Sequence, residues 1–198
     1  MTKKRLNLKK EFKEWGIFVG VIGILYFTGL HTEVAAYAQR VVLATGLITP
    51  DTDLDESELE KIDYNFKVKN MEGEVVALSE FKDKVIFINL WATWCPPCRA
   101  EMPSIQSLYD DVKDNEDIVF IMLSLDDNEK KVRKFIDKKE FTFPIYIPAS
   151  DMPEVLRSPS IPATYVISKD GKIISKKVGM AKYDTKSFQN FLEREAGK

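Results

Sequence analysis

Cys95 and Cys98 are the two cysteines of the chain, three apart where an apolar, β-branched run at residues 85–90 gives way to the start of a helix. Residues i and i+3 at a helix start lie close enough to close a disulfide ring, so the pair can open and shut without unfolding a domain. Pro96 and Pro97 between them cost little. First-turn N–H groups have no intrahelical partner, and proline supplies a helical φ. The same unpaired N–H groups and the helix dipole favour negative charge at Cys95, which lowers its pKa and marks it as the attacking thiolate. Cys98, one turn in, is the resolving thiol that closes the ring and releases a mixed disulfide.

Other uses of such a pair are less well served. A structural disulfide more usually joins distant segments, because closing a tiny loop removes little entropy from the unfolded chain. Structural zinc needs four ligands, and the single histidine, His31, is far away in an apolar segment. Ligand softness leaves a two-thiolate copper(I) assembly module as an alternative of another class. A peroxidase is a third, weakened because Ala92 stands where a Thr-x-x-Cys run ending at Cys95 would need threonine. Thiol–disulfide exchange, which needs no cofactor or resident metal, is the reading the spacing favours.

The run Trp91-Ala92-Thr93-Trp94-Cys95-Pro96-Pro97-Cys98-Arg99-Ala100-Glu101-Met102-Pro103 resembles the active-site stretch of TlpA/ResA-like thioredoxin-fold oxidoreductases, and the likeness extends over residues 61–198. The resemblance implies an α/β thioredoxin-like fold, a central mixed sheet flanked by helices with an N-terminal β-hairpin. It also implies thiol–disulfide exchange with proteins outside the cytoplasm, often from a membrane tether. By the same resemblance Pro162 is the cis-proline facing the dithiol, leaving the backbone of Ile161 free to pair with an extended substrate. Trp94, Pro96, Ile161 and Pro162 are therefore candidate substrate-binding residues. Glu101 matches an acidic position held to assist proton transfer, although a first-turn glutamate favoured by the helix dipole reads the same way. Asn89 stands where thioredoxins carry a buried aspartate, so thioredoxin's own proton chemistry does not transfer. The expected partners are proteins bearing cysteine thiols or disulfides and a membrane thiol carrier that donates electrons. The expected task is reduction of apocytochrome c or of copper-site proteins, with oxidative folding as the opposite direction.

The elements that must position this pair follow from the rest of the chain. A net charge of −2 gives no general reason to expect nucleic acid. Charge is nevertheless uneven, because Lys3, Lys4, Arg5, Lys9, Lys10 and Lys13 crowd residues 1–14. Residues 15–32 carry no charge with His31 neutral, and as a helix they reach about 27 Å, near the lower limit for crossing a bilayer. Basic residues on one side only place a cytoplasmic tail at 1–14, an anchor at 15–32 and the remainder outside. A cleaved signal peptide is the rival, with Ala36-Tyr37-Ala38 as its small-x-small site. Residues 33–61 read as an extracytoplasmic spacer: 33–48 as an interfacial helix or a continuation of the anchor, then an acidic, solvated linker.

The thioredoxin-like domain is expected over 62–198. Its signals are a hairpin around Met71-Glu72-Gly73-Glu74, buried strands at 85–90 and 118–123, and a helix after Cys98. Asp126, Asp127 and Asn128 are N-cap candidates for a following helix whose basic face is solvated. A strand at 165–167, a hairpin at Lys169-Asp170-Gly171-Lys172 and a closing helix at 183–195 complete the set.

Overall fold

The computed structural model describes residues 8–28, 30–50 and 59–198. The basic residues Lys3, Lys4 and Arg5 and the acidic linker at 51–58 lie outside the described residues. Seven strands form one sheet in the order β2-β1-β5-β4-β3-β6-β7. They are β1 (Lys67–Asn70), β2 (Val75–Ala77), β3 (Val85–Trp91), β4 (Ile118–Ser124), β5 (Ile145–Pro148), β6 (Ala163–Ile167) and β7 (Ile173–Val178). Strands β3, β4 and β5 run parallel, while β6, β7 and the β1–β2 hairpin pair antiparallel. The expected mixed sheet with its prepended hairpin is present, and each parallel step is made by a helical crossover.

Strand β3 is buried along its whole length because both of its faces are covered. Its side chains alternate between two cores. Val85, Phe87 and Trp91 join Met102, Ile105 and Leu108 of α3 (Pro96–Val112), Val132 of α4 (Glu129–Lys139) and Phe188, Phe191 and Leu192 of α5 (Lys186–Ala196). Ile86, Ile88 and Leu90 meet Ile62, Phe66, Leu78, Leu156 and Tyr165 on the other side. Phe87 is the hub of the first core, stacked on Phe120 at 4.6 Å and edge-on to Tyr183 at 5.5 Å.

Helix α3 is capped by Cys95 with prolines in its first turn, as the sequence predicts. It continues through Pro103, which has no N–H to give to the carbonyl of Arg99 four residues back. That carbonyl accepts instead from Arg40 Nη2 at 3.1 Å. Arg40 belongs to α2 (Leu30–Ala44), which follows α1 (Leu8–Phe27). Residues 33–48 therefore form neither a free spacer nor a straight continuation of α1: α2 packs on α3, burying Ala36 and Leu43 beside Ala100. Among the described residues no single helix is long and apolar enough to cross a membrane. Lys13–Phe27 and Leu30–Ala44, bent by 94°, meet the criteria of length and composition only as a pair. The closing helix begins later than expected, at Lys186, capped by Thr185 Oγ1 accepting from the Phe188 N–H, and this leaves Tyr183 in the loop before it.

Replacing Phe87 with alanine empties the centre of the larger core and should cost about 3–5 kcal/mol in urea unfolding. Val75→Ala, at an exposed position of the edge strand, should stay within about 0.5 kcal/mol.

Candidate active site

Strand β3 delivers the site through the tight loop Ala92-Thr93-Trp94. The Trp91 carbonyl still accepts from the Leu125 N–H at 2.8 Å, and then the chain turns so that the Cys95 N–H donates to the Ala92 carbonyl at 3.2 Å. One carboxylate holds this loop. Asp126 accepts from the Thr93 N–H (2.8 Å), the Thr93 hydroxyl (2.6 Å) and the Ser124 hydroxyl (2.9 Å). Asp126 was one of three cap candidates, but the cap of α4 is Asn128, accepting from the Lys130 N–H at 3.0 Å. Its role at the dithiol loop has no sequence signal, because it depends on β3 and β4 being neighbours.

Cys95 and Cys98 form a disulfide with Cα atoms 5.3 Å apart. The Cys98 N–H donates to Cys95 Sγ at 3.2 Å, so a first-turn amide points at the sulfur that would carry charge in the reduced state. Cys98 is fully enclosed, and Cys95 keeps only 3% exposure. Around Cys95 the surface is made by Trp94, 61% exposed, and half-buried Pro96 and Pro97. From the facing loop comes half-buried Ile161, whose carbonyl oxygen lies 3.7 Å from Cys95 Sγ. The Ile161–Pro162 bond is cis. The Pro162 ring is buried and its carbonyl accepts from the Gly179 N–H at 2.9 Å, so Ile161 is the part of this pair that faces outward. Trp94, Pro96, Ile161 and Cys95 thus come together at one edge, with Pro162 beneath them.

Glu101, three residues beyond Cys98 on the same helix face, points into the protein and is fully buried. Its carboxyl accepts from Asn89 Nδ2 at 2.8 Å and from the Ala181 N–H at 3.0 Å. Burial pushes its pKa up from 4.5 to about 8, although both hydrogen bonds pull the other way. Asn89 Nδ2 also donates to Thr164 Oγ1 at 2.9 Å, its cross-strand neighbour on β6, and the Tyr183 hydroxyl donates to the same oxygen at 2.6 Å. Asn89 Oδ1 is buried without a partner. The sequence suggested that Asn89 removes an acid from beneath the site. The structure has an acid there nonetheless, supplied by the helix and held by that asparagine. Thr164 and Tyr183, neither anticipated, complete the cluster.

Among the described residues no group of three or more His, Cys, Asp and Glu side chains is gathered as a metal site would require.

Residues 61–176 match the AhpC/TSA family. The thiol-disulfide oxidoreductase ResA of Bacillus cereus is 32% identical over 130 residues, which is 64% of this chain and 73% of that protein. The thioredoxin-like protein YneN of Bacillus subtilis is 30% identical over 168 residues, 84% of this chain and 91% of its own length. Among solved structures StoA from Bacillus subtilis superposes with a TM-score of 0.52 at 26% identity, covering 64% of this chain and 94% of StoA. Sequence kinship, strand order and a dithiol seated on a helix tip agree, and the chain belongs to the AhpC/TSA family as a thioredoxin-like thiol-disulfide oxidoreductase of the ResA kind.

Proposed function

We propose that this oxidoreductase is tethered to a membrane, works outside the cytoplasm and reduces disulfides in partner proteins, its task being the maturation of cytochrome c or of copper-site proteins. The observation that carries the exchange chemistry is the first-turn amide of Cys98 aimed at Cys95 Sγ, with a buried acid one turn further along the helix. The tether is supported by the uncharged run at 15–32 behind a basic tail. The reducing direction is supported by the family resemblance, and it requires an electron donor. Outside the cytoplasm a dithiol rests oxidised unless a membrane thiol carrier supplies electrons.

In the reduced protein Cys95 thiolate attacks one sulfur of the substrate disulfide, forming a mixed disulfide and releasing the other substrate sulfur as a thiolate. Cys98 then gives up its proton and attacks Cys95 Sγ. The S–S bond to the substrate breaks, the second substrate thiol leaves, and two electrons have passed to the substrate. Glu101 is the base for that proton: it lies one turn away, where Cβ atoms are about 5–6 Å apart, and its raised pKa lets it hold a proton near neutrality. Trp94, Pro96 and Ile161 form the apolar lip for the visiting chain, and the Ile161 backbone is the edge it pairs with, held from below by Pro162.

Cys95→Ser should abolish reduction of a disulfide substrate such as insulin. Cys98→Ser should accumulate partners as mixed disulfides on Cys95, visible by non-reducing electrophoresis. If nothing accumulates, the protein-substrate reading is lost.

Glu101 makes a prediction in both rate and stability. The resolving step should accelerate as pH rises through about 8, where the carboxyl ionises, and Glu101→Gln should lose that inflection and slow the step by about 10²-fold. The folded-state pKa lies above the ordinary carboxyl value of 4.5, so between the two the native protein holds a proton that the unfolded chain has released. Stability from this group is full at pH values below 4.5 and declines as pH rises to about 8, and Glu101→Gln should flatten the decline in urea midpoints measured from pH 5 to 8.

A further inference from the structure

Helix α2 has two faces, and the catalytic domain uses only one of them. On the inner face Ala36 and Leu43 are buried, Glu33 pairs with Arg99 and, at 3.1 Å, with Lys139, and Arg40 reaches the Arg99 carbonyl. Glu33 and Arg40 are the only Asp, Glu, Lys or Arg residues in α2, so all of these charges are turned inward. The outer face carries Leu30, Val34, Tyr37 and Val41, spaced i, i+4, i+7 and i+11, with Val42 beside them. All five are exposed, Tyr37 to 68%. A helix that spends its charges on the domain and shows water an uncharged apolar stripe has a second partner.

We infer that this stripe lies in the surface of a lipid bilayer, so that α2 clamps the catalytic helix to the membrane in a fixed orientation. The inference rests on the tether reading above and goes beyond it, because a tether alone leaves the domain free to tumble. Three features select lipid as the occupant. First, α2 leaves α1 at 94°, so a helix α1 that stands across a bilayer lays α2 in its plane. Second, the uncharged part of α1 and the residue after it, from Trp15 to Thr28, spans only about 21 Å, short of a hydrocarbon core of about 30 Å. Sinking α2 by about 5–10 Å into the interface makes up most of that deficit. Third, the two charged side chains of α2, which flank the stripe, are both tied to the domain, Glu33 to Arg99 and Lys139 and Arg40 to the Arg99 carbonyl, so the stripe can enter lipid without burying an unpaired charge. One placement satisfies all three. It fixes the height of α3, and with it Cys95, above the membrane from which electrons would come.

The test uses the full chain with Cys95→Ser and Cys98→Ser as a labelling background. A nitroxide is placed through Tyr37→Cys or Val41→Cys, and through Val75→Cys on the far edge strand as reference, in vesicles of phosphatidylcholine and phosphatidylglycerol. The Tyr37 and Val41 labels should be open to oxygen and shielded from a water-soluble nickel chelate, while the Val75 label stays open to nickel. Adding Val34→Asp to the Val41-labelled protein should abolish the shielding yet leave the protein floating with the vesicles. If the protein floats but the α2 labels are as open to nickel as Val75, the clamp is overturned and the tether stands. If the protein does not float, the tether reading fails and the clamp with it. Shielding in lipid-free detergent, with spin–spin broadening between copies, overturns the clamp in favour of a second copy of this chain.

Discussion

The buried carboxyl group of Glu101 is the constraint around which the site is arranged. A carboxylate without water or a cation is costly, and this one meets an asparagine amide and a backbone N–H instead of a positive side chain. Its two partners come from β3 and from the segment after β7, and Asn89 is in turn tied to Thr164 of β6. One side chain of α3 thereby fixes the helix to three other parts of the chain. Because Cys95 and Cys98 open the same helix, the depth at which Glu101 is held also sets where the sulfurs lie.

Asparagine at position 89 has a specific consequence. An aspartate there would face Glu101 across 2.8 Å, and two carboxylates at that separation cannot both ionise. The amide donates to Glu101 and Thr164 together, so a single acid titrates alone, with its pKa set chiefly by burial. Where the resemblance to thioredoxins puts an acid on the strand, this strand supplies the donor, and the acid is on the helix bearing the thiols. The buried acid and the two sulfurs thus belong to one rigid element rather than to two that must stay in register.

What could be read from the sequence divides along the range of the interactions involved. The continuous apolar runs of β3 and β4, the Cys-Pro-Pro-Cys turn, the hairpin at Lys169-Asp170-Gly171-Lys172 and the cap at Asn128 are local, since propensity and periodicity specify them within a few residues. The place of Pro162 was legible only through the family resemblance. Asp126 beneath Thr93 and Thr164 beside Asn89 join residues 33 and 75 positions apart, and Tyr183 reaches Thr164 from 19 positions further on. Nothing near any of them in sequence announces the contact. Tyr183 was expected as the first residue of the last helix. It is buried ahead of that helix instead, because Thr185 provides the cap.

The docking of α2 shows how a local defect can be an instruction at long range. Proline at 103 leaves the Arg99 carbonyl without its helical donor at a place where the helix is covered, and a covered carbonyl needs another one. Arg40 meets that need, and the same stretch of α2 brings Glu33 to the Arg99 side chain, which packs over Phe135 at 5.2 Å, with Phe135 against Trp91 at 5.7 Å. Both the main chain and the side chain of the residue directly after Cys98 are therefore held by α2. Removing α2 would expose a carbonyl, unpair a guanidinium and uncover Ala100 in the first turns of the helix that carries the thiols. Helix α2 is for that reason part of the active-site scaffold, and a catalytic domain cut at residue 62 would lack the element that completes its own dithiol helix.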